Sequence, residues 1–209
     1  QPLRGLLDRQ AALDLVRASA AASAEGWPAF SFSNHDAERV ASRWCRGADG
    51  TIDRGKLRLV MTLLLTLRGT ACLYQGEELG LPQAELAQEA LRDPFGIAYW
   101  PEFAGRDGAR TPLQWDAAAP HGGFSEAAAT WLPQGAAAVA SIVEQLAAAD
   151  SMLADSRALL AFRRRHAALA TGSLLPLELP EPLIGYLRRA DERIAVILNL
   201  GERPAALPD

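Results

Sequence analysis

Phe30-Ser31-Phe32-Ser33-Asn34-His35-Asp36, with Arg39 three residues further on, is the stretch from which the fold can be read. Phe30 and Phe32 alternate with Ser31 and Ser33, which is the period of a strand. Asn34, His35 and Asp36 then follow with no apolar residue between them. Such a triplet has two readings. One is an ordinary polar turn. The other is a cluster of hydrogen-bonding groups presented at a strand end, and the rest of the chain has to choose between them.

The chain on either side gives a repeat. Residues 6–22 carry Leu6, Leu7, Leu13, Leu15 and Val16 at helical spacing, and Gly26-Trp27-Pro28 stops that helix. The strand follows at 29–33. Residues 37–44 read as a short helical turn carrying Arg39 and Arg43, and 47–50 as a loop. Asp53 is placed to cap a helix over 56–68 that is apolar on nearly all sides. Gly69 ends it, and 70–74 is a second buried strand running into Gln75-Gly76-Glu77-Glu78. Helix, strand, helix, strand is the order of a parallel α/β fold, in which ligands meet the C-terminal ends of strands.

A long irregular stretch comes next, over about 79–136, and loops of this length are usually functional. It contains Asp93-Pro94, Trp100-Pro101 and a run from Gly105 through Arg106, Asp107, Arg110, Trp115 and Asp116. Two arginines four residues apart, beside aspartates and a tryptophan, read as a polar site with an aromatic wall, as a loop tied down by Arg–Asp pairs, or as both. Residues 139–146 suggest a short helix. Asp150-Ser151 caps an amphipathic helix reaching Arg165, whose basic last turn opposes the helix dipole. Beyond Gly172 the pattern becomes all-β, with strands over 174–179, 183–188 and 193–200 and a hairpin turn at Ala190-Asp191-Glu192.

Bulk composition narrows the function classes. Of 209 residues 49% are hydrophobic and 22% charged, enough for a sizeable core. A net charge of -4 argues against nucleic-acid binding, which needs a basic surface. Cys45 and Cys72 make no metal motif and read as two free thiols of a reducing compartment, hence a cytoplasmic protein. Three scattered histidines argue against a histidine-rich metal site. No cofactor, metal or membrane partner is expected. The first residues lack a signal peptide's features and position 1 is not Met, so a piece of a longer protein is expected, cut at both ends because too few strands follow Gly172 for a stable sandwich.

Several motifs in order resemble the α-amylase superfamily, glycoside hydrolase family 13. Gly26-Trp27-Pro28 through Ser33-Asn34-His35-Asp36 to Arg39, Val40 and Arg43-Trp44 resembles its last conserved region. Tyr74-Gln75-Gly76-Glu77-Glu78-Leu79-Gly80 is similar to the end of its eighth barrel strand. Gly105 through Trp115-Asp116, followed by Ala119-Pro120-His121-Gly122-Gly123-Phe124, resembles the α-glucosidase and oligo-1,6-glucosidase branch. The resemblance runs from about Trp27 to Leu200. Ser141-Ile142 stands where that branch usually has Asn-Val, and a tyrosine usual in the eighth helix is replaced near Ser156.

The resemblance implies the C-terminal part of a (β/α)8 TIM barrel, about strands 7–8 and their helices, over 1–171. The start of a small all-β sandwich domain would follow over 172–209. It implies retaining hydrolysis of α-glucosidic bonds, in which a nucleophile and an acid/base carboxylate flank the bond. In the family these lie at the ends of the fourth and fifth strands, ahead of this chain. Asp36 matches the family's third carboxylate, which stabilises the transition state through the sugar hydroxyls on C2 and C3. His35 and Arg106 match groups that bind the terminal glucose, Arg110 is expected to support Arg106 and is a candidate substrate-binding residue with them, and Arg39 and Tyr74 are expected to be structural. The partner implied is an α-glucoside, with the rest of the parent barrel required and the fragment inactive alone. The alternatives are a related transglucosylase, sucrose hydrolase or trehalose-forming isomerase, or a non-catalytic homologue.

Overall fold

The structure, a computed structural model, describes residues 7–21, 26–47, 49–135 and 139–207. The chain divides into two compact units.

The first unit takes in the described residues of Gln1–Ser31, Arg58–Cys72 and Ala158–Asp209. Helix α1 (Arg9–Ala21) has Ala12 and Val16 fully buried, and residues 6 and 22 of the expected helix lie outside the described residues. Strands β1 (Ala29–Ser31) and β2 (Thr70–Cys72) pair in parallel, Phe30 opposite Ala71. A parallel pair needs a crossover, which here includes helix α3 (Arg54–Thr66). The last turns of α3 are apolar all round, and Leu63, Leu64 and Leu65 are at most 3% exposed.

The carbonyls at the end of α3 find unusual partners. Arg163 donates to Leu65 O and Gly69 O, and Arg188 donates from Nη1 to Thr66 O at 2.6 Å. Two guanidinium groups thus close the C-terminal end of one helix, where orphan carbonyls and the negative dipole end favour cations. Arg163 belongs to helix α6 (Met152–Arg165), so its charge serves the end of α3 as well as its own last turn. Arg188 also donates to Gly172 O at 3.0 Å and is fully buried, which lowers its pKa to about 10, with Arg163 adding to the effect. Tyr186 Oη meets Thr66 Oγ1 beside it, and burial raises its pKa.

Three antiparallel strands complete this unit: β3 (Ser173–Leu177), β4 (Leu183–Arg189) and β5 (Arg193–Asn199). Arg189 pairs with Arg193 across the 190–192 turn, where the hairpin was expected. Glu192 at that turn accepts from the short helix α7 (Ala167–Ala170), at Ala168 N, and meets His166 Nδ1 at 2.7 Å.

The second unit takes in the described residues of Phe32–Leu57 and Leu73–Arg157. Side chains take up backbone donors in this unit. Glu77 accepts from Tyr74 N, and Ser33 Oγ accepts from Val40 N at the start of helix α2 (Val40–Trp44). Phe32 packs edge-on against Trp44 at 5.2 Å between ring centroids. Asp53 Oδ1 accepts from Lys56 N at the start of α3, as its position suggested.

Ser141 forms a complete capping box with Glu144 at helix α5 (Ile142–Ala147). Serine and asparagine are both good caps, so this difference from the glucosidase branch keeps the local structure. Ser156 is fully buried and donates to Glu78 O at 3.1 Å.

The described residues between Tyr74 and Ser141 are irregular apart from short helical turns and helix α4 (Pro94–Ala98). Two aspartates with no accessible side-chain surface organise this stretch. Asp107 Oδ2 accepts from the backbone of Arg92 and Asp93 at 2.6 and 2.7 Å. Asp93 caps α4 through Phe95 N and takes Arg106. Gly105 makes this possible: its φ is +77°, and a Cβ there would lie 2.8 Å from Gly96 Cα and 2.9 Å from Asp93 Oδ2.

Candidate active site

The polar triplet folds on itself first. Asn34 Oδ1 accepts from Asp36 N at 2.8 Å, a side chain mimicking a turn, which turns the Asp36 carboxylate outward. Asp36 is half-exposed, at 52% of its side chain. The loop then brings two arginines onto it. Arg106 Nη1 donates to Asp36 Oδ1 at 3.1 Å and Arg110 Nη2 to the same oxygen at 2.9 Å. His35 Nε2 lies 3.3 Å from the other oxygen, Oδ2. All four residues singled out from the sequence, His35, Asp36, Arg106 and Arg110, therefore meet around one carboxylate. The reading of the arginine run as a loop tied by Arg–Asp pairs is realised, and those pairs build a polar surface.

Each arginine has a second anchor. Arg110 Nε donates to His35 O at 2.8 Å, and its Nη1 lies 3.9 Å from buried Asp107. Arg106 is held by Asp93 through Nε to Oδ2 and Nη2 to Oδ1, both at 2.9 Å, while its backbone N donates to Oδ2 at 2.8 Å. This two-toothed pair raises the pKa of Arg106 and holds the Asp93 carboxyl well below the usual carboxylate range. Phe95 lies under the guanidinium, its ring centroid 5.4 Å from Arg106 Cζ. The ring beside Arg106 is thus Phe95. Trp115 instead turns its backbone to Gly122 O, and Asp116 caps a local turn at Ala118 N.

Arg39 is the frame behind this surface. It is 1% exposed, donates to Gln75 O at 2.6 Å and Ala109 O at 2.9 Å, and lies 5.1 Å from the Tyr74 ring. Tyr74 Oη donates to the same Ala109 carbonyl at 3.0 Å. Burial lowers the pKa of Arg39, offset by nearby Tyr74 and Glu77, and burial also pushes the Glu77 carboxyl up. The Asn-His-Asp segment, the segment after Tyr74 and the loop ending at Arg110 are joined through one guanidinium.

Two parts of the site, Asp93 and Phe95, are not singled out by the sequence. Asp93-Pro94 signals a helix start, which is true of it, and nothing local points to an arginine 13 residues on.

Chemically, the surface offers one outward carboxylate, two guanidinium groups with defined orientation and an imidazole. That set suits a polyhydroxylated ligand, whose hydroxyls both donate and accept.

A family model described as "Alpha amylase, catalytic domain" matches residues 9–172. The chain belongs to the alpha-amylase catalytic-domain family. A Rhizobium meliloti (strain 1021) protein named "Probable alpha-glucosidase" is 42% identical over 202 residues, covering 95% of this chain and 36% of that protein. The oligo-1,6-glucosidase of Heyndrickxia coagulans is 31% identical over 201 residues, covering 85% and 35%. A solved structure of an alpha-glucosyl transfer enzyme superposes with a TM-score of 0.85 at 42% identity, covering 97% of this chain and 38% of that one.

This alpha-amylase family chain thus spans about a third of the length of the proteins it matches. Its fold is a part of the family's barrel followed by antiparallel strands, as the motifs implied. Among the described residues no helix is long and apolar enough to cross a membrane.

Proposed function

We propose that residues 1–209 are part of a retaining α-glucosidase that releases terminal α-linked glucose from oligosaccharides. The observation that carries this reading is the placement of Asp36, an outward carboxylate oriented by Arg106, Arg110 and His35 in a chain of the alpha-amylase family. Asp36 accepts hydrogen bonds from sugar hydroxyls, and those bonds strengthen as the ring flattens towards an oxocarbenium ion. His35 and Arg106 bind the same terminal glucose, and Arg110 holds Asp36 in place.

Asp36 is neither nucleophile nor proton donor. Its Oδ1 is taken up by two guanidinium groups, and by resemblance it matches the family's third carboxylate, which takes no part in bond making. Asp93 and Asp107 are buried against arginine and backbone donors and do not reach a substrate. By the family resemblance the two reacting carboxylates of a retaining mechanism belong to the ends of the fourth and fifth barrel strands, outside residues 1–209, and we propose that this stretch alone is inactive. We propose a domain boundary at 171/172, supported by the family match ending at 172 and by β3 beginning at Ser173. A cytoplasmic location is supported by Cys45 and Cys72, which are both free thiols.

Transfer of the glucosyl group to a sugar acceptor is the second reading, favoured by the 42% identity to an alpha-glucosyl transfer enzyme, equal to that with the Rhizobium meliloti protein. One experiment separates them. The complete polypeptide is incubated with maltose and with isomaltose, and products are followed by proton NMR. Early release of α-glucose supports retaining hydrolysis. Accumulating trisaccharide supports transfer. β-Glucose as the first product, or no turnover of any α-glucoside, overturns both.

A further inference from the structure

Three carboxylates and two guanidinium groups make the heart of the site. Asp36 faces Arg106 and Arg110, Asp93 holds Arg106, and Asp107 lies against Arg110. The formal charges of these three carboxylates and two guanidinium groups sum to one net negative charge. Asp93 has no accessible side-chain surface and cannot touch a sugar. It is nevertheless the best-satisfied carboxylate of the three, accepting from Arg106 Nε, Nη2 and N and from Phe95 N. A loop that needed only a helix cap there would be served by serine or asparagine.

The charge of Asp93 has a use that its hydrogen bonds alone do not explain. Without it, the two guanidinium charges would be matched only by Asp36 and Asp107, and the group would lose its net negative charge. A transition state with positive charge on the ring would be favoured less there. With Asp93 in place the positive charge of Arg106 is cancelled from behind, while its Nη1 edge still orients Asp36.

We propose that Asp93 is the positioning and charge-balancing residue of this site, holding Arg106 on Asp36 while cancelling its charge, so that the site favours a positively charged sugar ring over a neutral one. The proposal rests on the glucosyl reading above and assigns a role to a residue that never meets the substrate.

The test uses the complete polypeptide and two ligands, glucose and a glucose-configured iminosugar at a pH where its nitrogen is protonated. Affinities are measured by calorimetry for the wild type, D93N, D93E, R106Q and the D93N/R106Q double variant. The readout is the ratio of iminosugar to glucose affinity, which loss of folded protein does not move. The charge-balancing role predicts that D93N lowers this ratio about tenfold, that D93E keeps it, and that R106Q raises it. The double variant returns it to within about threefold of wild type. An unchanged ratio in D93N, or no return in the double variant, overturns the proposal and leaves the glucosyl reading standing. A wild type that binds neither ligand overturns the glucosyl reading itself.

Discussion

Arg106 gives two edges of its guanidinium to two different carboxylates. Nε and Nη2 donate to the buried Asp93 at 2.9 Å each, and Nη1 donates to the outward Asp36 at 3.1 Å. A planar fork is needed for both contacts at once, and an ammonium group offers only a point charge. R106K is therefore expected to lower kcat/KM of the complete enzyme for an aryl α-glucoside about a hundredfold. Steady-state kinetics check this, and a loss under about threefold would mean that geometry at Arg106 is unimportant.

The same pair sets a pH dependence. Arg106 depresses the Asp93 carboxyl in the folded state. A depressed folded pKa contributes stability that is present above the unfolded carboxylate value of about 3.9, and is lost as pH falls from there towards the folded value. The difference in melting temperature between wild type and D93N should thus be constant from about pH 6 to 8 and narrow only below about pH 4. Thermal denaturation across pH measures it. Narrowing near neutrality would contradict the assignment.

Arg188 should matter for stability and not for chemistry. Its guanidinium meets the carbonyls of Thr66 and Gly172 in a fully buried position. R188M keeps the volume and strands those acceptors, at a cost of about 2–4 kcal/mol. Urea denaturation reads this as a lower midpoint, with kcat/KM of the folded fraction unchanged. A midpoint equal to wild type would mean that the helix end finds other donors.

Cys45 is fully buried, and burial pushes its thiol up to about 12. Iodoacetamide at about pH 8 should leave it unmodified in the folded protein and label it after unfolding, because the thiolate is the reacting form. Peptide mass spectrometry gives the answer directly. Rapid labelling of Cys45 in the native state would show that the core around it opens.

The sequence was most legible where chemistry and period coincide. The alternation around Phe30 marked a strand, but that strand ends at Ser31, short of the expected 29–33, and Phe32 packs on Trp44 instead. The apolar run of α3 and the Ala190-Asp191-Glu192 turn were direct. What escaped reading depends on partners distant in the chain. Arg188 sits beside Arg189 near the end of a strand, where a pair of arginines reads as facing water, yet it closes a helix 122 residues earlier. Arg163 reads as a charge for its own helix end, and its hydrogen bonds go to α3. Asp93 lies in a stretch that reads as an irregular loop, and its hold on Arg106 exists because Gly105 lets the loop fold back against Gly96. Local rules find caps and strands, whereas a buried charge is matched by the tertiary fold.

The central claim is that Asp36 stabilises the transition state and takes no part in bond making. Its most direct test is D36N in the complete enzyme, an isosteric change that removes the charge facing the ring. The account predicts a fall in kcat of about 100- to 1,000-fold with a much smaller change in glucose affinity, and no rescue by added azide or formate, since no nucleophile has been removed. A kcat within about threefold of wild type would contradict it, and so would recovery of turnover with an external anion.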